Sequence, residues 1–501
     1  MPTESVASDE RRHTIRSVSL GTLLRLARWP FALLSLFVIP GVMGSATYGR
    51  FALFMPVYLL ADMLTDIGVL QVFGRFVPGP ATPETERRRV GLLHGFLATG
   101  VALTAVVCLL AIAYVQRFPS DSFPSEWLLP FCLLLIVTRI EGVLFSFLYG
   151  LNSIARYSAR EALRSLLLFL GVTVFFLLFG LPGALWSLVV KEAVLALIAM
   201  RWTRRYLFQP FRPRWSEWKP YVRFGLGFYV PFLLFGLLQR SGALFISRIS
   251  GLPEQVGFFD VANQFFLMGV GFLGVILITL LPSMSAFREA GDDETIHRWH
   301  GAVMPWFGAA VVLAFQALVW LGEPTLALFL GTEFLPVRNL ALVATLAMAP
   351  GLIVYVGMNY AILDKQPMAC ARGILAGLVA MTLVCLALIP LFQAKGAMWG
   401  AVAGHTVSAV FFWLRYRQRF RIALKGYLPV LALGALFAPL ALLHAPLPWS
   451  VAGFVVATGL FLALALALRV LDAGPLLQSA KKAWRHFRGR RFRAKRPDER
   501  G

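Results

Sequence analysis

Apolar runs of about 20 residues, long enough to cross a bilayer as a helix, recur along the whole chain between short polar stretches. They predict helices over 18–43, 49–73, 91–116, 127–149, 160–180, 183–203 and 223–247. The series continues over 257–282, 299–321, 338–361, 369–392, 396–414, 427–443 and 449–470. Pro30, Pro56, Pro231 and Pro350 fall inside these runs, where neighbouring helices can satisfy the carbonyls that proline frees. The pattern defines an all-α integral membrane protein of about 14 transmembrane helices.

Composition agrees with the pattern. Of 501 residues, 58% are hydrophobic and 14% charged, and the mean hydropathy is +0.72. A soluble domain carries about a quarter charged residues. The spans use up most of the chain, and the longest outer connections, 117–126 and 322–337, are too short to fold as a domain. Residues 1–17 are polar and basic, and the apolar run after them is too long for a cleavable leader, so the first span reads as an uncleaved signal-anchor.

A net charge of +22 in a soluble chain would point to nucleic acid first. Here the placement of the charge decides otherwise. With the amino terminus inside, most of the 47 Lys and Arg residues fall on cytoplasmic segments, among them Arg87 to Arg89, Arg156, Arg160, Arg164 and the tail from Lys481. The outer side keeps Arg50, Arg117, Arg248, Arg338 and Lys395. Such a bias places both termini in the cytoplasm, makes membrane lipid the electrostatic partner and excludes nucleic acid from the expected partners. Cys108, Cys132, Cys370 and Cys385 lie in apolar runs without metal-type spacing, so no metal or other cofactor is expected.

A faint internal repeat is present. Met43-Gly44-Ser45-Ala46-Thr47-Tyr48-Gly49-Arg50-Phe51 and Ser250-Gly251-Leu252-Pro253-Glu254-Gln255-Val256-Gly257-Phe258-Phe259 share a glycine, a polar turn, a second glycine and then aromatics. One copy heads each half of the chain. The halves run over 18–203 and 223–414, joined by a basic, aromatic linker, 204–222. Two further helices occupy 415–470, and a basic tail covers 471–501.

With these residues in view, the chain resembles the polysaccharide-type lipid-linked oligosaccharide flippases of the multidrug/oligosaccharidyl-lipid/polysaccharide exporter superfamily. The resemblance rests on Gly44 to Phe54 followed by Leu60-Ala61-Asp62-Met63-Leu64-Thr65-Asp66-Ile67-Gly68, on Leu330 to Pro336, and on Ala394 to Gly404, in family order. It implies two pseudo-symmetric six-helix lobes around a central cavity with two C-terminal helices. It also implies transport of a polyprenyl-diphosphate-linked oligosaccharide across a bacterial cytoplasmic membrane, beside a polysaccharide polymerase. A lipid II flippase or a drug/cation antiporter of the same superfamily is the alternative. A membrane glycosyltransferase, polymerase or ligase is the enzymatic rival, but no large outer loop or catalytic motif supports it. The chain departs from its relatives in span seven, where Gln239 is followed by Arg240 and Ser241 rather than by an acid.

A cavity for such a substrate needs cations to hold the diphosphate. Arg28 in the first span and Arg240 in the seventh occupy equivalent helices and form a candidate clamp; the competing reading pairs each with a neighbouring acid. Arg139, Glu141, Lys191 and Glu192 read as an ion-pair network between helices, although neighbours so close in sequence point apart and are poor mutual partners. Asp62 and Asp66 share a face and are expected toward headgroups or Arg75. His405 is a candidate proton relay, with hydrogen bonding to a neighbour as the plainer alternative. Gly396, Gly400 and Gly404 form a small-residue face suited to close helix packing.

Overall fold

The computed structural model describes residues 24, 27–78, 82–118, 123–210, 215–289, 291–439 and 447–471. Among these residues all regular structure is helical. The elements are α1 (Arg28–Met43), α2 (Ser45–Thr65), α3 (Val69–Phe76), α4 (Pro83–Arg117), α5 (Leu128–Gly150), α6 (Ile154–Leu207) and α7 (Trp215–Ile249). There follow α8 (Pro253–Glu289), α9 (Asp293–Phe329), α10 (Val337–Leu363), α11 (Pro367–Phe392), α12 (Ala394–Arg415), α13 (Arg417–Ala435) and α14 (Leu447–Ala467). Among the described residues, 9 helices are long and apolar enough to cross a membrane, or 10 with the bent pair α2–α3 taken as one span. The basic amino terminus and the tail from 472 onward lie outside the described residues.

Two breaks shape the first part of the chain. At Thr65–Val69 the second span bends by 44°. Gly68 adopts φ 74°, a left-handed geometry that glycine enters without strain. The Asp66 carboxylate then caps α3, accepting from the Gly68 and Val69 amides at 2.9 and 3.2 Å. The second break is at Gly180 (φ 66°, ψ −154°) inside the 54-residue α6. A straight helix of that length would measure about 80 Å, far more than one bilayer. The chain instead folds back: a Cβ on Gly183 would lie 2.7 Å from Phe179 Cβ, and one on Gly171 would lie 3.6 Å from Ser187. The arms 154–179 and 181–207 are thus an antiparallel hairpin. Within the linker expected over 204–222, α6 runs on to Leu207 and α7 begins at Trp215.

The chain divides into two compact units. The first holds residues 1–267, 325–347 and 365–408. Its core gathers Val72 and Phe73 of α3, Phe96 of α4, Phe145 and Phe147 of α5, and Leu195 of α6, with Phe96 and Phe147 each edge to face with Phe73. In the second unit, Ala309 and Val312 of α9, Val430 of α13 and Phe461 of α14 form the core. The ends of α8, α10 and α13 in that unit are tied through Asp364, which Arg419 contacts at 2.9 Å and Arg288 at 3.2 Å. Arg288 also pairs with Asp293 at the start of α9. Between α8 and α9, Asp292 caps α9, and its hydrogen bonds from the Thr295 hydroxyl and amide hold its carboxyl below the usual range.

Candidate functional site

Two collections of polar groups in the first unit lie near opposite ends of α2. The end near Gly44 assembles the landmarks that carry the family resemblance. A Cβ on Gly49 would fall on the Pro253 carbonyl, and one on Gly257 would sit 3.0 Å from the Ser45 carbonyl. The two copies of the internal repeat therefore pack main chain to main chain. Tyr48 donates to Asp260 at 2.6 Å, and Ser45 donates to Glu333 in the Leu330–Pro336 landmark at 2.8 Å. Phe334 is fully buried against the Tyr48 and Phe258 rings. The Ala394 amide, which opens the remaining landmark, donates to Gln255 at 3.4 Å. Beside this junction is a cavity of about 250 Å³ lined by Gly49, Arg50, Ser247 and Pro253 among others.

The other place is an ion network. Arg139 is 4% exposed and reaches from α5 to α2, donating to the Asp62 carboxylate and the Thr65 hydroxyl, each at 2.7 Å, and to the Asp62 carbonyl at 2.6 Å. Its other terminal nitrogen lies 3.8 Å from Asp66. Asp62 and Asp66 thus turn to Arg139, whereas the sequence reading sends them to headgroups or Arg75; Arg75 instead lies over the Phe224 ring. Next to Arg139, Thr138 shares a 2.8 Å hydrogen bond with Tyr58.

Glu141 is fully buried and accepts two bonds from Arg160, at 2.5 and 2.6 Å, and one from Arg164 at 3.1 Å. Arg164 also reaches Glu192 at 2.9 Å, and Lys191 closes on Glu192 at 3.0 Å. That last pair corrects the expectation that adjacent Lys191 and Glu192 diverge too far to meet. Glu141 bonds neither Arg139 nor Lys191; its partners come from the first arm of the hairpin, Arg160 and Arg164. The topology reading counts these two arginines among the cytoplasmic surface charges. They lie within α6 at i and i+4, the spacing that puts both on one face. That spacing, with Arg156 and Glu161 beside it, is the signal by which the sequence marks them.

Arg28 opens α1 and pairs with Glu161 at 3.3 Å, over the Trp29 ring. Glu161 also lies 3.8 Å from Arg160. Across the network Arg28, Arg139, Arg160, Arg164 and Lys191 are matched by Asp62, Asp66, Glu141, Glu161 and Glu192. Such matching is what permits charge in an apolar surround. Arg240 is elsewhere in the first unit, near enough for its charge to act on Asp260. Arg28 and Arg240 thus stand with different acids. His405 is fully buried; its Nδ1 meets the Ala401 carbonyl at 2.8 Å, its ring meets Phe266, and its Nε2 has no hydrogen-bond partner among the described residues. Also among the described residues, no group of three or more His, Cys, Asp or Glu could hold a metal ion.

A bundle of apolar helices with buried, paired charges and main-chain contact between the repeat copies is the architecture of a multi-pass membrane protein. Solved structures agree on the fold. One titled "Lipid II flippase MurJ, inward closed conformation" matches with a TM-score of 0.67 at 10% identity, covering 89% of this chain and 99% of that one. An inward-facing multidrug resistance MATE family transporter of the MOP superfamily matches at 0.59 with 17% identity, over 80% and 99%. The Vibrio cholerae MATE transporter VcmN, as a point mutant, matches at 0.54 with 16% identity, over 82% and 99%. No curated protein matches the chain in sequence. The family model described as "Polysaccharide biosynthesis protein" matches residues 15–288, more than half the chain, and the chain belongs to that family.

Proposed function

We propose that this protein moves a polyprenyl-diphosphate-linked oligosaccharide from the inner to the outer leaflet of a bacterial cytoplasmic membrane, with both of its own termini inside. The observation that carries the reading is the arginine cluster of α1, α5 and α6, set within the segment that matches the polysaccharide biosynthesis family. A diphosphate headgroup is a dense anion, and guanidinium groups bind phosphate oxygens with paired, directed hydrogen bonds. A drug exporter moving cations would gain nothing from arginines at its site. No bond need be made or broken; the protein supplies a polar passage and two conformations close in free energy. The positive-inside bias of the connections supports the orientation.

Lipid II, another polyprenyl diphosphate, is the second reading, supported by the MurJ likeness over most of both chains. Complementation separates the two. The gene is expressed in bacterial strains lacking either a surface-polysaccharide flippase or the lipid II flippase. Rescue of the first alone supports the proposal, and rescue of the second alone replaces it. In the rescued strain Arg28→Ala should lower surface glycan at least tenfold, and Arg240→Ala should lower it by a smaller factor, both at normal protein levels. Normal glycan with both variants would refute the role of these arginines.

A further inference from the structure

The ion pairs of the network differ in kind. Glu141 has no exposed surface and is gripped by two arginines, with a two-point contact to Arg160. Glu192 is 2% exposed and held by Lys191 and Arg164. Glu161 is different: its side chain is 26% exposed, its contact to Arg28 is a single one at 3.3 Å, and its contact to Arg160 is 3.8 Å. The two Glu161 oxygens point separately, Oε2 at Arg28 on α1 and Oε1 at Arg160 on α6. Two guanidinium groups from two helices thus converge on one partly exposed carboxylate. This is also the geometry that a diphosphate, with oxygens on both phosphorus atoms, would use. Nearby Arg164 is 28% exposed, and its buried Nε–H has no hydrogen-bond partner among the described residues.

We propose that Glu161 is a tethered stand-in for the substrate's anion. It occupies the Arg28–Arg160 seat when no diphosphate is bound and is displaced when one arrives. The exchange keeps the arginines paired in both states, so neither is left uncompensated in an apolar surround. Glu141 is bonded too completely to exchange and fixes Arg160 in place. Strength follows from the same contacts: a partly exposed one-point pair contributes less than a buried pair bonded at several points, which is costly to break. The weak pair is the one that can yield. The inference rests on the proposed diphosphate-linked substrate.

The test measures binding of farnesyl diphosphate to the full-length protein in lipid nanodiscs, with inorganic pyrophosphate and farnesol as parallel probes. Glu161→Gln removes the competing charge and should tighten farnesyl diphosphate binding about tenfold, which is about 1.4 kcal/mol. The same variant should leave farnesol unchanged. Tightening toward pyrophosphate as well would assign recognition to the anion alone; tightening only toward farnesyl diphosphate would mean that the lipid tail must be seated too. Arg28→Ala should weaken the diphosphate probes in either background. Should Glu161→Gln fail to insert, Glu161→Asp decides, since it retracts the carboxylate and should also tighten binding. Unchanged or weaker binding in whichever variant folds overturns the displacement. If Arg28→Ala weakens binding while the Glu161 variants do nothing, the displacement alone falls. If no variant alters diphosphate binding, the substrate reading falls with it.

Discussion

The hairpin 154–207 and the hairpin formed by α11 and α12 turn in the same way. In each a residue with positive φ sits at the bend, Gly180 at 66° and Gln393 at 48°. In each a glycine three residues further on packs against the preceding arm: Gly183 on Phe175 and Phe179, Gly396 on Leu388. Their contents differ. The first carries Arg160, Glu161, Arg164, Lys191 and Glu192, all in ion pairs. In the second, Arg372 and Lys395 are exposed, and the buried polar side chains up to Ser408 are His405 and Ser408. Small residues bring its arms together, Gly377 against Ser408 and the Gly404 carbonyl. Backbone geometry depends on a few turn and contact positions and can be repeated along a chain. The chemistry between the arms depends on the other positions and is free to diverge. A repeated scaffold can therefore be polar in one copy and apolar in the other.

The largest effect that would sharpen this contrast is expected at Glu141. Glu141→Gln turns an amide N–H₂ toward guanidinium donors and leaves Arg160 and Arg164 short of one charge. A loss of about 3–5 kcal/mol is expected, read as a large fall in unfolding temperature of the purified protein. A change under about 1 kcal/mol, the scale of an exposed pair, would show that the charged hairpin is held by packing alone. Next come the matched glycines. Gly183→Leu and Gly396→Leu should each lose about 1–3 kcal/mol by overpacking, and by similar amounts. Strong loss in one hairpin and none in the other would break the equivalence of the two bends. The smallest effect belongs to His405→Leu. It removes a buried Nε2 that has no partner among the described residues, so the unfolding temperature should hold or rise slightly and glycan export should persist. Loss of export at normal protein level would support the proton-relay role for this residue.

The helical membrane fold was legible in the sequence because bilayer thickness imposes a run length that the apolar pattern reveals. The repeat was legible because main-chain contact demands glycine, and Gly49 and Gly257 each face the opposite copy. The pairing of the charges was not legible. Arg139 finds Asp62 across 77 residues, and Arg28 finds Glu161 across 133. Counting basic residues for topology treats an arginine near a helix end as solvent-facing. Yet Arg160 enters the interior because Glu141 meets it there, on a helix that begins at Ile154, well before the start that the apolar run suggests. The acid's position fixed the arginine's depth, and apolar run length carries no trace of that.

The junction of Gly49 with Pro253 and of Gly257 with Ser45 has a mechanical consequence. Side chains that interlock across a seam must change rotamer before the two faces can separate, and each such step adds friction. At the glycines bare backbone meets bare backbone and has no teeth to disengage, so the interlock is confined to the Tyr48, Phe258 and Phe334 rings beside them. Beyond the loss of close packing, parting this seam would mean releasing the Tyr48–Asp260 and Ser45–Glu333 hydrogen bonds, and reclosing it would need no search among rotamers at the glycines.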